Sequence, residues 1–218
     1  MISLVLEAST YAGSVALLDD NRVIAERSLA MRGKDEEALM PAVADVLADA
    51  ELSVGQLDRV VCGAGPGAFT SLRIAASIAK GLSLSLGIPL IPVSSLALLV
   101  ASQPVLAAGR YLAVLDAMRD ERYAQLYLLS ATGLVTEAGS PFMTPSTQVG
   151  ERAAELEAMV IGADHHSAPP HARGAARITN LINAATAADL AAWEPAYGRR
   201  AEAQVKWEAE HGRPLVAG

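Results

Sequence analysis

The sequence predicts an α/β protein of two lobes, each built as three strands, a helix, a strand and a helix. Three observations predict it. An apolar strand-like run ending in an acid occurs twice, as Leu4-Val5-Leu6-Glu7 and as Leu112-Ala113-Val114-Leu115-Asp116. A second apolar run ending in glycine also occurs twice, as Val60-Val61-Cys62-Gly63 and Met159-Val160-Ile161-Gly162. The element signals between and after these runs come in the same order both times. Duplication of this kind places two α/β lobes across a cleft.

In the first copy, Ile2 to Leu6 is a continuous apolar strand and Gly13 to Leu18 a second. Asp19-Asp20-Asn21 is turn chemistry, and Arg22 to Leu29 is the third strand. Asp35 to Ala50 reads as a helix with acids in its first turn. Leu39, Val43, Val46 and Leu47 share one face, and Pro41 kinks the helix or displaces its start. Arg59 to Cys62 is the fourth strand, Phe69 to Leu86 a long helix, Leu90 to Pro92 a fifth strand, and Ser94 to Ser102 a helix. In the second copy, Leu112 to Asp116, Arg122 to Leu129 and Leu134 to Glu137 are strands, with a turn at Thr132-Gly133. Gly150 to Leu156 is helical, Met159 to Gly162 a strand, and Ile178 to Leu190 a closing helix. Ala163 to Ala176, with Pro169-Pro170, reads as a surface loop, and the polar tail after Pro195 crosses back over the first lobe or dangles. The plan is a duplicated, ribonuclease-H-like βββαβα. The boundary falls near Gln103-Pro104, giving an N-terminal lobe 1–104 and a C-terminal lobe 105–218.

Composition narrows the function. The 218 residues are 52% hydrophobic, enough for two cores, and the net charge is −7. Both halves are acidic, so neither is built to grip a nucleic-acid backbone alone. The lone Cys62, on a buried strand, excludes an intrachain disulfide, suits a reducing compartment, and is read as a small core residue. Leu82 to Ala101 is membrane-like in hydropathy, but Gly87-Ile88-Pro89 and Pro92 cut it into soluble core elements. Met1 to Leu6 is too short for a secretory signal, because Glu7 ends it. The expected location is the cytoplasm.

The turn Gly63-Ala64-Gly65-Pro66-Gly67-Ala68 carries the strongest signal. It links a strand to the N-terminus of a helix, where bare backbone and unpaired N–H groups can meet an anion. A turn made for packing alone is the competing reading. It is neither a Walker A loop nor a GxGxxG fingerprint.

Several motifs taken together resemble the bacterial TsaB (YeaZ) family. They are strand-Glu7-Ala8-Ser9-Thr10, the run from Gly65-Pro66-Gly67 through Phe69-Thr70-Ser71-Leu72-Arg73-Ile74, Ala79-Lys80-Gly81-Leu82 and Ile88-Pro89 with Val93-Ser94-Ser95-Leu96. Leu115-Asp116-Ala117 with Arg119 and Tyr123, and Glu194-Pro195-Ala196-Tyr197, extend the likeness over about the whole chain. The resemblance implies a two-lobed fold of the actin, sugar-kinase and heat-shock type (ASKHA). It also implies a non-catalytic dimerisation and assembly subunit of the complex that installs N6-threonylcarbamoyl on the adenosine beside the tRNA anticodon. Its implied partners are the catalytic paralogue TsaD, the ATPase TsaE, and a second copy of itself; tRNA is met only through the complex, and no membrane is involved. No cofactor is expected on the chain by itself, with ATP or ADP and Mg²⁺ entering at the level of the complex. The chain departs from the family pattern at Glu7, where Asp is usual, at Ala68 for Ser, at Ser71 for Gly, and at Gly198.

The catalytic paralogue carries a His-x-x-x-His metal pair, and the matching positions here are Ser95 and Leu99, which make a poor ligand and none at all. His165, His166 and His171 lie in a Pro-rich stretch without a patterned acid or Cys. Glu7 and Asp116 would face a cleft from the first strand of each lobe, suiting a hydrated Mg²⁺ beside a nucleotide; the alternative is that each caps a strand end. The candidate nucleotide cleft is therefore Glu7, Ser9, Thr10, Gly65, Gly67 and Asp116. On the long helix, Arg73, Ser77 and Lys80 fall within an arc of roughly 60°, and the remaining circumference is apolar or small. Burial between the sheet and the preceding helix would explain that, and so would a partner chain. The resemblance favours the partner, and gives candidate interface residues Leu39, Met40, Val43, Leu47, Phe69, Leu72, Ile74, Ile78 and Leu82. Two further classes stay open: an ASKHA enzyme acting alone as an ATP-dependent transferase or phosphotransferase, and a free-standing binding module.

Overall fold

The computed structural model describes residues 1–31, 38–162, 168–197 and 211–212. The first sheet holds β1 (Ile2–Glu7), β2 (Ala12–Asp19), β3 (Arg22–Ala30), β4 (Arg59–Gly63) and β5 (Leu90–Val93), in the order β3-β2-β1-β4-β5. β1, β2 and β3 pair antiparallel, while β4 and β5 run parallel to β1. The second sheet holds β6 (Gly109–Asp116), β7 (Glu121–Leu129), β8 (Val135–Glu137), β9 (Phe142–Pro145) and β10 (Met159–Gly162). Its order is β10-β6-β7-β8, with β9 also pairing β7. β10 runs parallel to β6 with Val114 opposite Gly162, as β4 runs parallel to β1 with Leu6 opposite Cys62. The two sheets repeat one topology, so the fold is the duplicated two-lobed ASKHA plan. Among the described residues the second copy has no counterpart of β5, and it adds β9, which the sequence does not announce because Phe142-Met143-Thr144-Pro145 is too short for a periodicity signal.

Period-two alternation in the first sheet places its two faces in different cores. Leu4, Leu6, Val15, Leu17, Val60 and Cys62 face outward, beneath α1 (Leu39–Asp49) and α2 (Phe69–Leu86). Val5, Ala16, Leu18 and Val61 face inward and join α3 (Ser95–Ala101) and residues of the second sheet, among them Tyr111, Tyr123 and Tyr127. All seven residues of α3 are buried, since that helix lies between the two sheets. The outer face of the second sheet, with Leu112 and Val114, is covered by α4 (Val149–Glu155).

Pro41 lies in the first turn of α1, where a missing N–H costs no helix bond, so it displaces the start and does not kink the helix. The expected acidic first turn, Asp35 to Glu37, lies outside the described residues, as do His165 and His166. Two expectations for the second lobe are corrected. The closing helix is only α5 (Thr179–Ala184); from Ala185 the backbone turns extended, and the Ala188 N–H bonds the Leu90 carbonyl at the edge of β5. The expected surface loop is, over residues 170–176, mostly interior. His171, Ala172, Gly174 and Ala175 are buried, and a 3-10 turn spans Ala172–Arg177. Gly174 makes this possible, because a Cβ there would press on the Leu98 carbonyl and Ser102 of α3.

Candidate functional site

The Gly-rich turn, the end of β1 and the start of α3 form one buried polar knot. Glu7 is fully buried at the C-terminal end of β1. Its Oε1 accepts from the Ser9 N–H at 2.6 Å, and its Oε2 accepts from Ser95 Oγ at 2.9 Å. Ser95 Oγ in turn accepts from the Gly65 N–H at 3.2 Å. Gly63 sits against the carboxylate, and any Cβ there would collide with Oε2. Burial pushes the Glu7 carboxyl above its ordinary range, while the bonds from Ser9 and Ser95 pull it back.

The three motif glycines have separate reasons. Gly65 adopts φ +87°, the left-handed region, and packs on the Ala196 carbonyl. Gly67 lies against the backbone of Ser9, whose carbonyl accepts the Ala68 N–H at 2.7 Å, so it is required by close approach. The Thr10 hydroxyl closes its own turn by bonding the Ala12 carbonyl at 3.1 Å. Asp116 is exposed at the end of β6, where it accepts from the Met118 N–H at 3.0 Å and pairs with Arg122 at 3.0 Å.

Of the two readings of Glu7 and Asp116, the cap on each strand end is the one observed, with the N–H of Ser9 on Glu7 and that of Met118 on Asp116, and the cleft-facing reading is corrected. Glu7 is enclosed and spends both oxygens on protein donors, and Asp116 is held on the surface by Arg122. Of the six proposed nucleotide-cleft residues, Glu7, Ser9, Gly65 and Gly67 meet in the buried knot, Thr10 closes the adjoining turn, and Asp116 stands apart on the surface. A cleft of about 570 Å³ does open between the lobes. It is lined by Ala64, Gly65 and Pro66 of the turn, Ser94, and Gln125 and Glu137 of the second sheet. Of the six, only Gly65 reaches it.

The residue the sequence reading undervalued is Ser95. It entered as a position lacking a metal ligand, yet it ties the turn to β1. Its hydroxyl does not cap α3, whose N-cap is Ser94, so its role depends on Glu7 and Gly65 brought up from elsewhere in the chain. Leu99, its companion, is core.

The candidate interface divides by burial. Leu39, Val43, Leu47 and Leu72 lie in the lobe's own core, so they are corrected from contact residues to packing residues. α1 and α2 sit side by side on the sheet, α1 over β2 and β3, α2 over β4, β1 and β5, so neither buries the other's outer face. Met40 is exposed, and Phe69, Ile74, Ile78 and Leu82 are half-buried. Thr70, Arg73, Ser77, Gly81 and Leu84 form the outward stripe of α2, spaced for one helical face. Leu84, missed by the sequence reading, is 75% exposed.

The N-terminal turn of α2 is capped by the returning tail. Phe69 and Tyr197 stack with ring centroids 4.5 Å apart, and the Arg73 guanidinium lies 4.4 Å over the Phe69 ring. Tyr123 of the second sheet donates to the Tyr197 carbonyl at 3.3 Å, and the Ala196 N–H bonds the Ala64 carbonyl at 2.7 Å. Here the tail crosses back onto the first lobe; residues 198–210 lie outside the described residues.

Comparison with known proteins gives three findings. A family model described as "TsaD: tRNA N6-adenosine threonylcarbamoyltransferase" matches residues 30–207. Curated tRNA threonylcarbamoyladenosine biosynthesis proteins TsaB are similar, from Bacillus subtilis at 35% identity and from Escherichia coli at 34%. The matched stretches cover 58% and 60% of this chain and 55% and 57% of those proteins, so the chain spans about half the length of the curated relatives it matches. A solved structure of YeaZ from Pseudomonas aeruginosa superposes with a TM-score of 0.75 at 29% identity, covering 90% of this chain and 99% of that one.

Proposed function

The chain belongs to the TsaB (YeaZ) branch of the TsaD family, and from that premise we propose that it serves threonylcarbamoyladenosine synthesis on tRNA as a non-catalytic assembly subunit. The observation that carries this reading is the state of the two positions that the resemblance aligns with the paralogue's metal pair. Ser95 is committed to Glu7 and Gly65, and Leu99 is packed in the core. A side chain bound within a buried knot and one with no donor atom offer nothing to an incoming ion. What the chain offers instead is the outer surface of α2, with its half-buried Ile74, Ile78 and Leu82 beside the small Ser77 and Gly81. Small residues let a partner helix approach closely.

In this reading the partner is a TsaD-type paralogue or a second copy of the chain. A TsaE-type ATPase joins the assembly, which works in the cytoplasm. ATP or ADP and Mg²⁺ are held by the assembly, and the tRNA by the other subunits. Among the described residues no helix is long and apolar enough to cross a membrane.

The test is co-purification with a TsaD-type protein, sizing with and without ATP, and a transfer assay on the separate and combined proteins. A complex whose transfer activity needs both chains supports the reading. Steady turnover by this chain alone overturns it in favour of an ASKHA-fold enzyme, the reading to which the 570 Å³ interlobe cleft lends weight.

A further inference from the structure

At the opposite end of the first sheet, where β4 and β5 begin, lies a groove of about 570 Å³ that is separate from the interlobe cleft. Its walls are Pro89, Ile91, Ile182 and Met1, and its polar groups are Arg59, Asp58 and Asn183. Arg59 is only 9% exposed. Its Nε donates to Ser3 Oγ at 2.8 Å, and its Nη1 donates to Asn183 Oδ1 at 2.9 Å. Both acceptors are neutral. Asp58, the acid in the groove, is turned to the Ile2 N–H at 2.6 Å, and among the described residues no carboxylate comes within 4.0 Å of the guanidinium. Nη2 has no hydrogen-bond partner among the described residues. Burial pulls the Arg59 pKa down, and Asp20 and Asp58 push it back up from a distance.

A nearly buried guanidinium without a contacting counter-charge is unusual, because burying a charge is costly unless it is paired. A guanidinium also has the shape to hold a planar oxyanion. We propose that this groove binds a small organic carboxylate with a short branched aliphatic body. The carboxylate would meet Arg59 Nη2, and the aliphatic part would lie on the exposed Pro89 and Met1, above the floor formed by the buried Ile91 and Ile182. A doubly charged phosphate is disfavoured, since Asp58 lines the same groove and Asp20 acts on the same guanidinium.

The experiment uses the full chain with 3-methylbutanoate as the probe. Its neutral isostere 3-methylbutanamide and sulfate at matched ionic strength are the controls. Melting temperature and the Arg59 Nε–H resonance are followed during titration. The expected result is a saturable rise in melting temperature and a saturable shift of that resonance with 3-methylbutanoate, at least tenfold stronger than with either control. Pro89 is exposed at the rim, so Pro89→Glu places a like charge beside the ligand without removing Arg59; it is expected to weaken binding at least tenfold in a folded protein. Absence of a saturable response overturns the proposal. So does an equal response to the amide or to sulfate, or unchanged binding in Pro89→Glu.

Discussion

Two buried residues of the Gly-rich knot carry opposite physical problems, one of charge and one of space. Glu7 is a carboxyl whose burial raises its pKa above the ordinary value of 4.5. The folded state therefore holds the proton more tightly than the unfolded chain does. The stabilising effect of that proton is complete below about pH 4.5 and is lost as pH rises toward the raised value. Glu7→Gln removes the titration while keeping an acceptor for the Ser9 N–H. Denaturant melts from pH 4 to pH 8 are expected to show wild type losing stability relative to Glu7→Gln as pH rises; a constant gap would mean that Glu7 titrates normally. Gly67 is a matter of space. A methyl there meets the Ser9 carbonyl and Cβ, and both are fixed by the Ala68 bond. Gly67→Ala is expected to lower stability by about 1–3 kcal/mol, the usual cost of overpacking. An unchanged melting temperature would show that the turn can open at no cost.

At the scale of the element, α2 decides between packing and partnership. Leu72 points into the core, so Leu72→Glu is expected to unfold the lobe. Ile78 is half-buried at the edge of the outward stripe, and Ile78→Glu is expected to leave a folded monomer that no longer associates. Gly81 gives a sharper test. A Cβ there meets nothing within 4 Å. Gly81→Trp therefore leaves the helix intact and gains several tenths of a kcal/mol in propensity, while its bulk holds a partner helix away. Sizing and melting together check both variants. Should both be folded and still pair normally with a second copy and with a TsaD-type partner, the interface lies off this helix.

At the scale of the whole molecule, charge and the inter-lobe ties matter. With a net charge of −7, the isolated chain releases few counterions from a polyanion. Filter binding of tRNA at about 150 mM salt is expected to give no tight complex and only a shallow salt dependence. Tight binding with a steep salt slope would place the tRNA on this chain. The lobes are joined by α3 between the sheets, by the tail from Ala185 to Tyr197, and by polar ties across the seam, among them Arg59 to Asn183, Tyr127 to Ser94 and the Arg173–Glu26 ion pair at 3.4 Å. His171 Nε2 lies 2.9 Å from Ser28 Oγ, and the Ala172 N–H donates to Ser14 Oγ at 2.9 Å. Packing around α3 and these polar ties, the Arg173–Glu26 pair among them, hold the lobes together.

The sequence by itself determined every strand but β9, α2 to its last residue, the duplicated plan and the family. Those follow from hydrophobic period, from turn chemistry and from a Gly-Pro-Gly turn that few folds share; all are local along the chain. It does not tell the outer strand faces from the inner ones, because both are apolar in a sheet covered on each side. It could not place Glu7, since whether an acid at a strand end faces solvent or is sealed depends on Ser95 and Gly63, distant in sequence. The end of α5 was lost in the same way. Ala185 to Leu190 has good helical propensity, yet the open edge of β5 offers the Leu90 carbonyl, and a backbone bond to a waiting acceptor outweighs propensity of a few tenths of a kcal/mol per residue. Which faces of α1 and α2 remain for a partner was likewise a tertiary decision. The helical wheel shows what a face is made of, and only the sheet beneath decides which face it covers.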